Sequence, residues 1–153
     1  MKAKLIKLTA VAACLAAGTA LAGGEFATRQ EAEAMVTKAV KHIKEAGKDK
    51  AYTDFTDKNG GYIDRDLYIA VYDLEGKVRA HGQNPKMVGK EMIGIKDADG
   101  KAFVKERVDM AKAQGKFWQD YKFTDPLTKQ VLPKSMYCEK LDDTAVCAGV
   151  YKR

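Results

Sequence analysis

Two cysteines, Cys138 and Cys147, bracket eight residues that turn at Asp142-Asp143, and this pattern fixes more of the fold than any other in the chain. A two-residue turn there pairs 141 with 144, 140 with 145, 139 with 146 and 138 with 147. The cysteines then fall directly opposite each other at a non-hydrogen-bonded pair, where α-carbons lie roughly 4.5 Å apart, a spacing a disulfide accepts. Such a bond requires an oxidising compartment, and the first 22 residues read as the route to one. Lys2, Lys4 and Lys7 form a positive start, Leu8 to Ala17 is an apolar stretch too short to span a bilayer, and Ala20-Leu21-Ala22 offers small residues for cleavage before Gly23. An uncleaved anchor, or lipidation at Cys14, is the alternative reading of this segment. Cleavage removes Cys14 and leaves an even pair.

The charge balance bears on partners only after that segment is set aside. The whole chain has 27 Lys+Arg against 21 Asp+Glu, a net +6, but residues 1–22 hold three lysines and no acid. The remaining 131 residues carry 24 against 21, or +3, an ordinary solvated surface, so no nucleic-acid partner is expected. No later apolar run approaches membrane length. The two histidines, His42 and His81, are far from the cysteines in sequence, and no metal site or cofactor is expected. The protein is therefore expected in a bacterial periplasm as a single domain, 23–153, after a cleaved signal peptide, 1–22.

Thr28 and Glu31 form a capping box ahead of a helix of about five turns ending near Gly47. Its apolar stripe is Ala32, Met35, Val36, Ala39, Val40 and Ile43. A short helix over 48–57 follows, with Ala51 and Phe55 inward, and Asn59-Gly60-Gly61 stops it. Leu67–Tyr72 and Val78–His81 alternate as strands about a turn at Asp73–Gly76. Pairing Tyr72 with Lys77 sets Ala70 opposite Arg79 and Tyr68 opposite His81. One face then carries Ile69, Val71, Val78 and Ala80, a bed for the long helix; the other carries Tyr68, Ala70, Tyr72, Lys77, Arg79 and His81. Residues 83–100 are rich in glycine yet hold Met87, Val88, Met92, Ile93 and Ile95, so they are expected to fold back over that second face. A helix near 101–114 and strands near 117–123, 131–141 and 144–151 complete an α+β domain. It has an antiparallel sheet of at least five strands with the long N-terminal helix packed on one face.

The chain also resembles a known family. The carrying residues are Asp66-Leu67-Tyr68-Ile69, Asp73-Leu74-Glu75-Gly76-Lys77-Val78-Arg79-Ala80-His81, Asn84-Pro85 with Val88-Gly89-Lys90, and Asp97-Ala98-Asp99-Gly100-Lys101 with Phe103-Val104. Trp118 and Tyr121, then Pro133-Lys134-Ser135 with Tyr137, and Ala148-Gly149-Val150-Tyr151 extend it over about residues 27 to 152. Together they resemble the extracytoplasmic sensors called single Cache domains of the second type. The resemblance implies a PAS-like antiparallel sheet and a pocket for a small organic ligand, often a carboxylate such as acetate, propionate, pyruvate or lactate. Most relatives are the outer part of a receptor whose transmembrane helix leads to a kinase or methyl-accepting module. No such segment follows Arg153 here, so the expected partners are a small organic acid and a separate membrane receptor or other periplasmic protein.

A bound carboxylate calls for charge-assisted hydrogen bonds and aromatic walls. Tyr68, Tyr72, Arg79 and His81 offer these from one hairpin, and Trp118, Tyr121, Lys134 and Tyr137 stand at positions resembling the family's pocket lining, with Lys134 the foremost anion contact. The competing reading makes Arg79 and Lys77 solvated charges and Trp118 core; Trp118 and Tyr121 lie on opposite faces of a regular strand. Enzyme signatures are lacking: there is no nucleophile elbow or phosphate loop, and the sole serine, Ser135, makes an unconvincing triad. Asp97 and Asp99 lack the rest of a calcium loop, and Asp99 is expected to cap the next helix. The expected function is a periplasmic binding or sensor domain for a short-chain carboxylate, not an enzyme. The alternative is an exported structural or protein-docking module with a vestigial pocket.

Overall fold

A computed structural model describes residues 24–153; the expected export segment, 1–22, and Cys14 lie outside the described residues. The capping box forms as the spacing predicts. Glu31 N–H donates to Thr28 Oγ1 at 3.2 Å and Thr28 N–H to Glu31 Oε2 at 2.7 Å, starting helix α1, Arg29–Ala46. Gly47, at φ 84°, ends α1 and begins α2, Lys48–Thr56, a conformation that favours a residue without Cβ. Strands β1 (Ile63–Asp64), β2 (Leu67–Asp73) and β3 (Val78–His81) follow, then a 3-10 turn at Pro85–Met87 and helix α3, Phe103–Gln114. Strands β4 (Lys116–Thr124), β5 (Val131–Leu141) and β6 (Thr144–Tyr151) close the chain. The sheet runs β1-β2-β6-β5-β4, with β3 also paired to β2, and every pairing is antiparallel. Cys138 sits opposite Cys147 and is bonded to it, with α-carbons 4.2 Å apart.

The sheet separates two cores. On one face Ala32, Val36, Ala39 and Ile43 of α1, with Ala51 and Phe55 of α2, bury Ile69, Val71, Ala80, Val146, Ala148 and Val150. The long helix lies mainly across β6 and β5, while α2 covers β3, so the Ile69/Val71/Ala80 bed is shared by two helices. Val78 is not part of that bed. The register is Ala70 with His81, Val71 with Ala80 and Tyr72 with Val78, and a bulge takes up Arg79. The extra residue turns Val78 to the opposite face, where it joins Ala70, Tyr72, Met136 and the disulfide.

That second face is covered by α3 as well as by the 83–100 loop, which contributes Met87 and Met92. Asp97, not Asp99, organises the join. Its carboxylate accepts the N–H groups of Asp99, Lys101 and Lys122 at 3.0, 2.9 and 3.0 Å, and the N-cap of α3 is Ala102, which makes no side-chain cap bond. These bonds tie the loop to the free edge of β4 and shield it from stray pairing.

Candidate ligand-binding site

The second face gathers side chains from every long strand. Lys134 points from β5 into this core, beside Gly149 of β6. A Cβ on Gly149 would stand 2.9 Å from Lys134 Cε and 2.7 Å from the Ser135 carbonyl, so only glycine leaves the lysine its path. Lys134 is fully buried. Its Nζ donates to Tyr68 Oη at 2.9 Å and Tyr151 Oη at 3.3 Å, and lies 4.2 and 4.6 Å from the centroids of those rings. Tyr151 in turn donates to the Thr124 carbonyl at 2.8 Å. Among the described residues no carboxylate reaches ion-pair distance of Lys134. Burial, and then repulsion from Arg107, holds its ammonium pKa well below the usual lysine range, while Asp66 and Asp125 pull the other way.

His81 is 2 % exposed, and its Nδ1 accepts the Asn84 N–H at 3.1 Å. That bond places the ring proton on Nε2. Burial first, then the charges of Lys134 and Arg107, press its pKa down to about 3, so it acts as a neutral N–H donor. Burial raises the pKa of the Tyr68, Tyr121 and Tyr151 hydroxyls, keeping them protonated.

Arg107 of α3 is a candidate site residue that the strand-by-strand reading did not reach. It is fully buried, its Nε donates to Gln119 Oε1 at 3.0 Å, and its two terminal nitrogens have no hydrogen-bond partner among the described residues. Gln119 is oriented for this by donating to the Phe103 carbonyl at 2.8 Å. The guanidinium stands 4.7 Å from the Tyr72 ring centroid and 5.0 Å from that of Tyr121. The available signal was its place in the stripe Phe103, Val104, Arg107, Val108, Ala111, an arginine where helical spacing demands an apolar residue.

A cleft of about 310 Å³ opens between the 81–87 and 123–129 segments and reaches Tyr68 and His81, the neighbours of Lys134. Met87, Phe123, Asp125 and Lys129 are also among its lining residues, whereas Lys134 and Arg107 are not. Of the eight residues singled out from sequence, Tyr68, Tyr72, His81, Tyr121 and Lys134 share this side of the sheet. Tyr121 stacks on Phe103 with centroids 4.7 Å apart and donates to Met136 Sδ at 3.6 Å. The bulge sends Arg79 elsewhere. It is ion-paired to Asp73 at 3.0 Å in a surface hollow with Tyr52 and Val88. Trp118 and Tyr137 lie on the α1 face, 5.3 Å apart, where Arg29 stacks 3.6 Å from the indole centroid and Glu33 accepts its N–H at 3.1 Å. Alternation along β4 and β5 separates both from Lys134. His42 is half-buried on Tyr62 and bonded to Asp54 at 2.7 Å. Among the described residues no cluster of three or more His, Cys, Asp or Glu is arranged to hold a metal.

Comparison with known proteins places this geometry. The family model described as Single Cache domain 2 matches residues 7–151. The methyl-accepting chemotaxis protein McpP of Pseudomonas putida is 30 % identical over 76 residues, 50 % of this chain and 14 % of that protein. The sensor histidine kinase MctS of Rhizobium johnstonii is 33 % identical over 89 residues, 57 % of this chain and 19 % of that protein. The chain thus spans less than a fifth of either receptor's length. A methyl-accepting chemotaxis protein of Vibrio parahaemolyticus has a similar fold, with a TM-score of 0.69 and 23 % identity over 80 % of this chain and 86 % of that one. A Cache chemosensory domain solved for the structural basis of carboxylic acid recognition has a TM-score of 0.66 and 24 % identity, covering 81 % of this chain and 88 % of that one. With 7–151 matched by the family model, this chain belongs to the single Cache domain 2 family of sensor domains.

Proposed function

We propose that this domain, exported to the periplasm with residues 1–22 removed, binds a carboxylate of two to four carbons. The carrying observation is a pair of fully buried basic side chains, Lys134 and Arg107, on one face of the sheet with no carboxylate ion-paired to either among the described residues. A buried charge without a counter-ion is costly, and an anionic ligand offsets that cost. In this reading Lys134 and Arg107 hold the carboxylate, His81 Nε2–H donates to a neighbouring oxygen, and Tyr68, Tyr72, Tyr121 and Phe123 enclose the tail. The recognition of carboxylic acids by a Cache domain of similar fold supports it. Signal output through a separate membrane receptor or other periplasmic protein belongs to the same proposal.

The test is calorimetric titration of acetate, propionate, lactate and pyruvate into the protein and into K134A, each confirmed folded by circular dichroism. A five- or six-atom acid reaches micromolar affinity only if its charge is well satisfied, at a ceiling near ~1.5 kcal/mol per non-hydrogen atom. Loss of Lys134 should then cost about 2–5 kcal/mol. Equal binding to both proteins removes Lys134 as the anion contact. Failure of all four acids below about millimolar supports the second reading, a protein-docking module with a vestigial pocket, which the absence of Lys134 and Arg107 from the lining of the cleft favours.

A further inference from the structure

Two buried carboxylates stand near Lys134, and one of them, Asp125, lines the cleft. Asp66 and Asp125 are fully buried and both attract the Lys134 ammonium, yet neither is ion-paired with it. Their partner is Arg153. One arm of its guanidinium donates to Asp66 Oδ2 at 2.9 Å and the other to Asp125 Oδ2 at 2.7 Å. The group lies 3.6 Å from the Phe26 ring centroid. Other donors complete both acids. Asp66 Oδ1 accepts the Ala27 N–H at 2.9 Å, Asp125 Oδ1 the Leu127 N–H at 3.1 Å, and Asp125 Oδ2 the Thr128 hydroxyl at 2.7 Å. A guanidinium fork suits this task because one planar cation serves two anions at fixed angles.

The charge balance shows what the fork accomplishes. Asp66, Asp125 and Arg153 sum to −1, which Lys134 offsets; Arg107 then leaves the group at +1, since His81 is neutral. One monocarboxylate brings the sum to zero. Without Arg153 the sum is already zero before any ligand arrives, and two freed carboxylates compete for one ammonium. Resting on the carboxylate reading above, we propose that Arg153 is a positioning residue that makes the site anion-selective, occupying Asp66 and Asp125 so that Lys134 stays free for the ligand.

The test compares R153Q, R153K and the double variant R153Q/D125N with the parent in titrations of acetate, propionate, lactate and pyruvate. R153Q should bind the preferred acid roughly ten- to a hundredfold more weakly, the effect of one nearby unit charge at an effective dielectric near 20. R153K should stay within about tenfold of the parent, because the charge remains. The double variant restores the +1 sum and should recover affinity to within about threefold, although it loses a further tether. Parent-like affinity in R153Q overturns the proposal. So does a double variant no better than R153Q, which would mean that Arg153 acts only as a tether. If R153Q does not fold, the double variant decides alone by the same threefold criterion.

A ligand-free readout separates this proposal from the carboxylate reading. The groups facing the Lys134 ammonium are Tyr68, Tyr151, Phe123, His81, Arg107, Asp66 and Asp125. Its titration, followed by nitrogen-detected NMR, should move upward in R153Q and return in the double variant. If the parent binds none of the acids, the carboxylate reading fails and this titration still decides the role of Arg153; no movement overturns it.

Discussion

Replacing Lys134 by methionine separates a group kept for binding from one kept for stability. The substitution retains most of the side chain's length and removes its charge. The lysine is fully buried and hydrogen-bonds to two neutral phenols, Tyr68 and Tyr151. Burying an ammonium costs several kcal/mol after relaxation, and its two bonds to neutral phenols, at the lower end of about 1.5–3 kcal/mol each, offset only part of that. The ligand-free K134M protein should therefore be more stable by ~1–2 kcal/mol, raising Tm by about 4–8 °C for a domain of this size. The pH dependence has a definite sign. Because the folded-state pKa of Lys134 lies below its ordinary value of 10.5, the unfolded chain holds more protons in that window and the parent gains stability as pH rises. The tyrosines with raised pKa are common to both proteins, so the K134M advantage should shrink between neutral pH and about pH 10. Thermal and urea unfolding of ligand-free protein measure it. A K134M protein that melts below the parent, or an advantage that ignores pH, would refute the reasoning and make Lys134 a structural residue.

Three further outcomes concern the frame. Denatured, unreduced protein lacking residues 1–22 should titrate no free thiol, and reduction of Cys138–Cys147 should cost roughly 2–3 kcal/mol in urea unfolding; two reactive thiols reject the bond. Val36→Asp places a charge at a fully buried position of α1 and should cost several kcal/mol or prevent folding, whereas an unchanged melting temperature would sink the packing of α1 on β5 and β6. Gly149→Ala presses a methyl against the Ser135 carbonyl and Lys134 Cε; a loss of about 1–3 kcal/mol is expected in denaturant unfolding, with weakened acid binding by calorimetry, and parent-like values in both would show that the lysine does not need that path.

Much of the frame was legible because it rests on short-range rules. The capping box, the helix stripe and the turn at Asp142-Asp143 each follow from local spacing, and the turn alone sets Cys138 opposite Cys147. The site was legible only in part. A single bulged residue, Arg79, shifts the β2–β3 register, turns Val78 over and removes Arg79 itself from the site. Alternation cannot reveal a bulge in advance. Arg107 escaped for the opposite reason: a charged residue on a helix reads as solvated until the packing of α3 on the sheet shows that its stripe position is buried. Trp118 and Tyr137 illustrate a third cause. Aromatic residues in strands suit a pocket wall and a helix bed equally, and only the side occupied by α1 distinguishes them.

The central claim is that a carboxylate sits against Lys134 on the face opposite α1, and a crystal structure with the tightest-binding of the four acids tests it most directly. The account predicts a carboxylate oxygen about 2.7–2.9 Å from Lys134 Nζ, with the Arg107 guanidinium turned toward the same anion. An acid lodged instead in the hollow beside Arg79, with Lys134 still bonded only to Tyr68 and Tyr151, would contradict it.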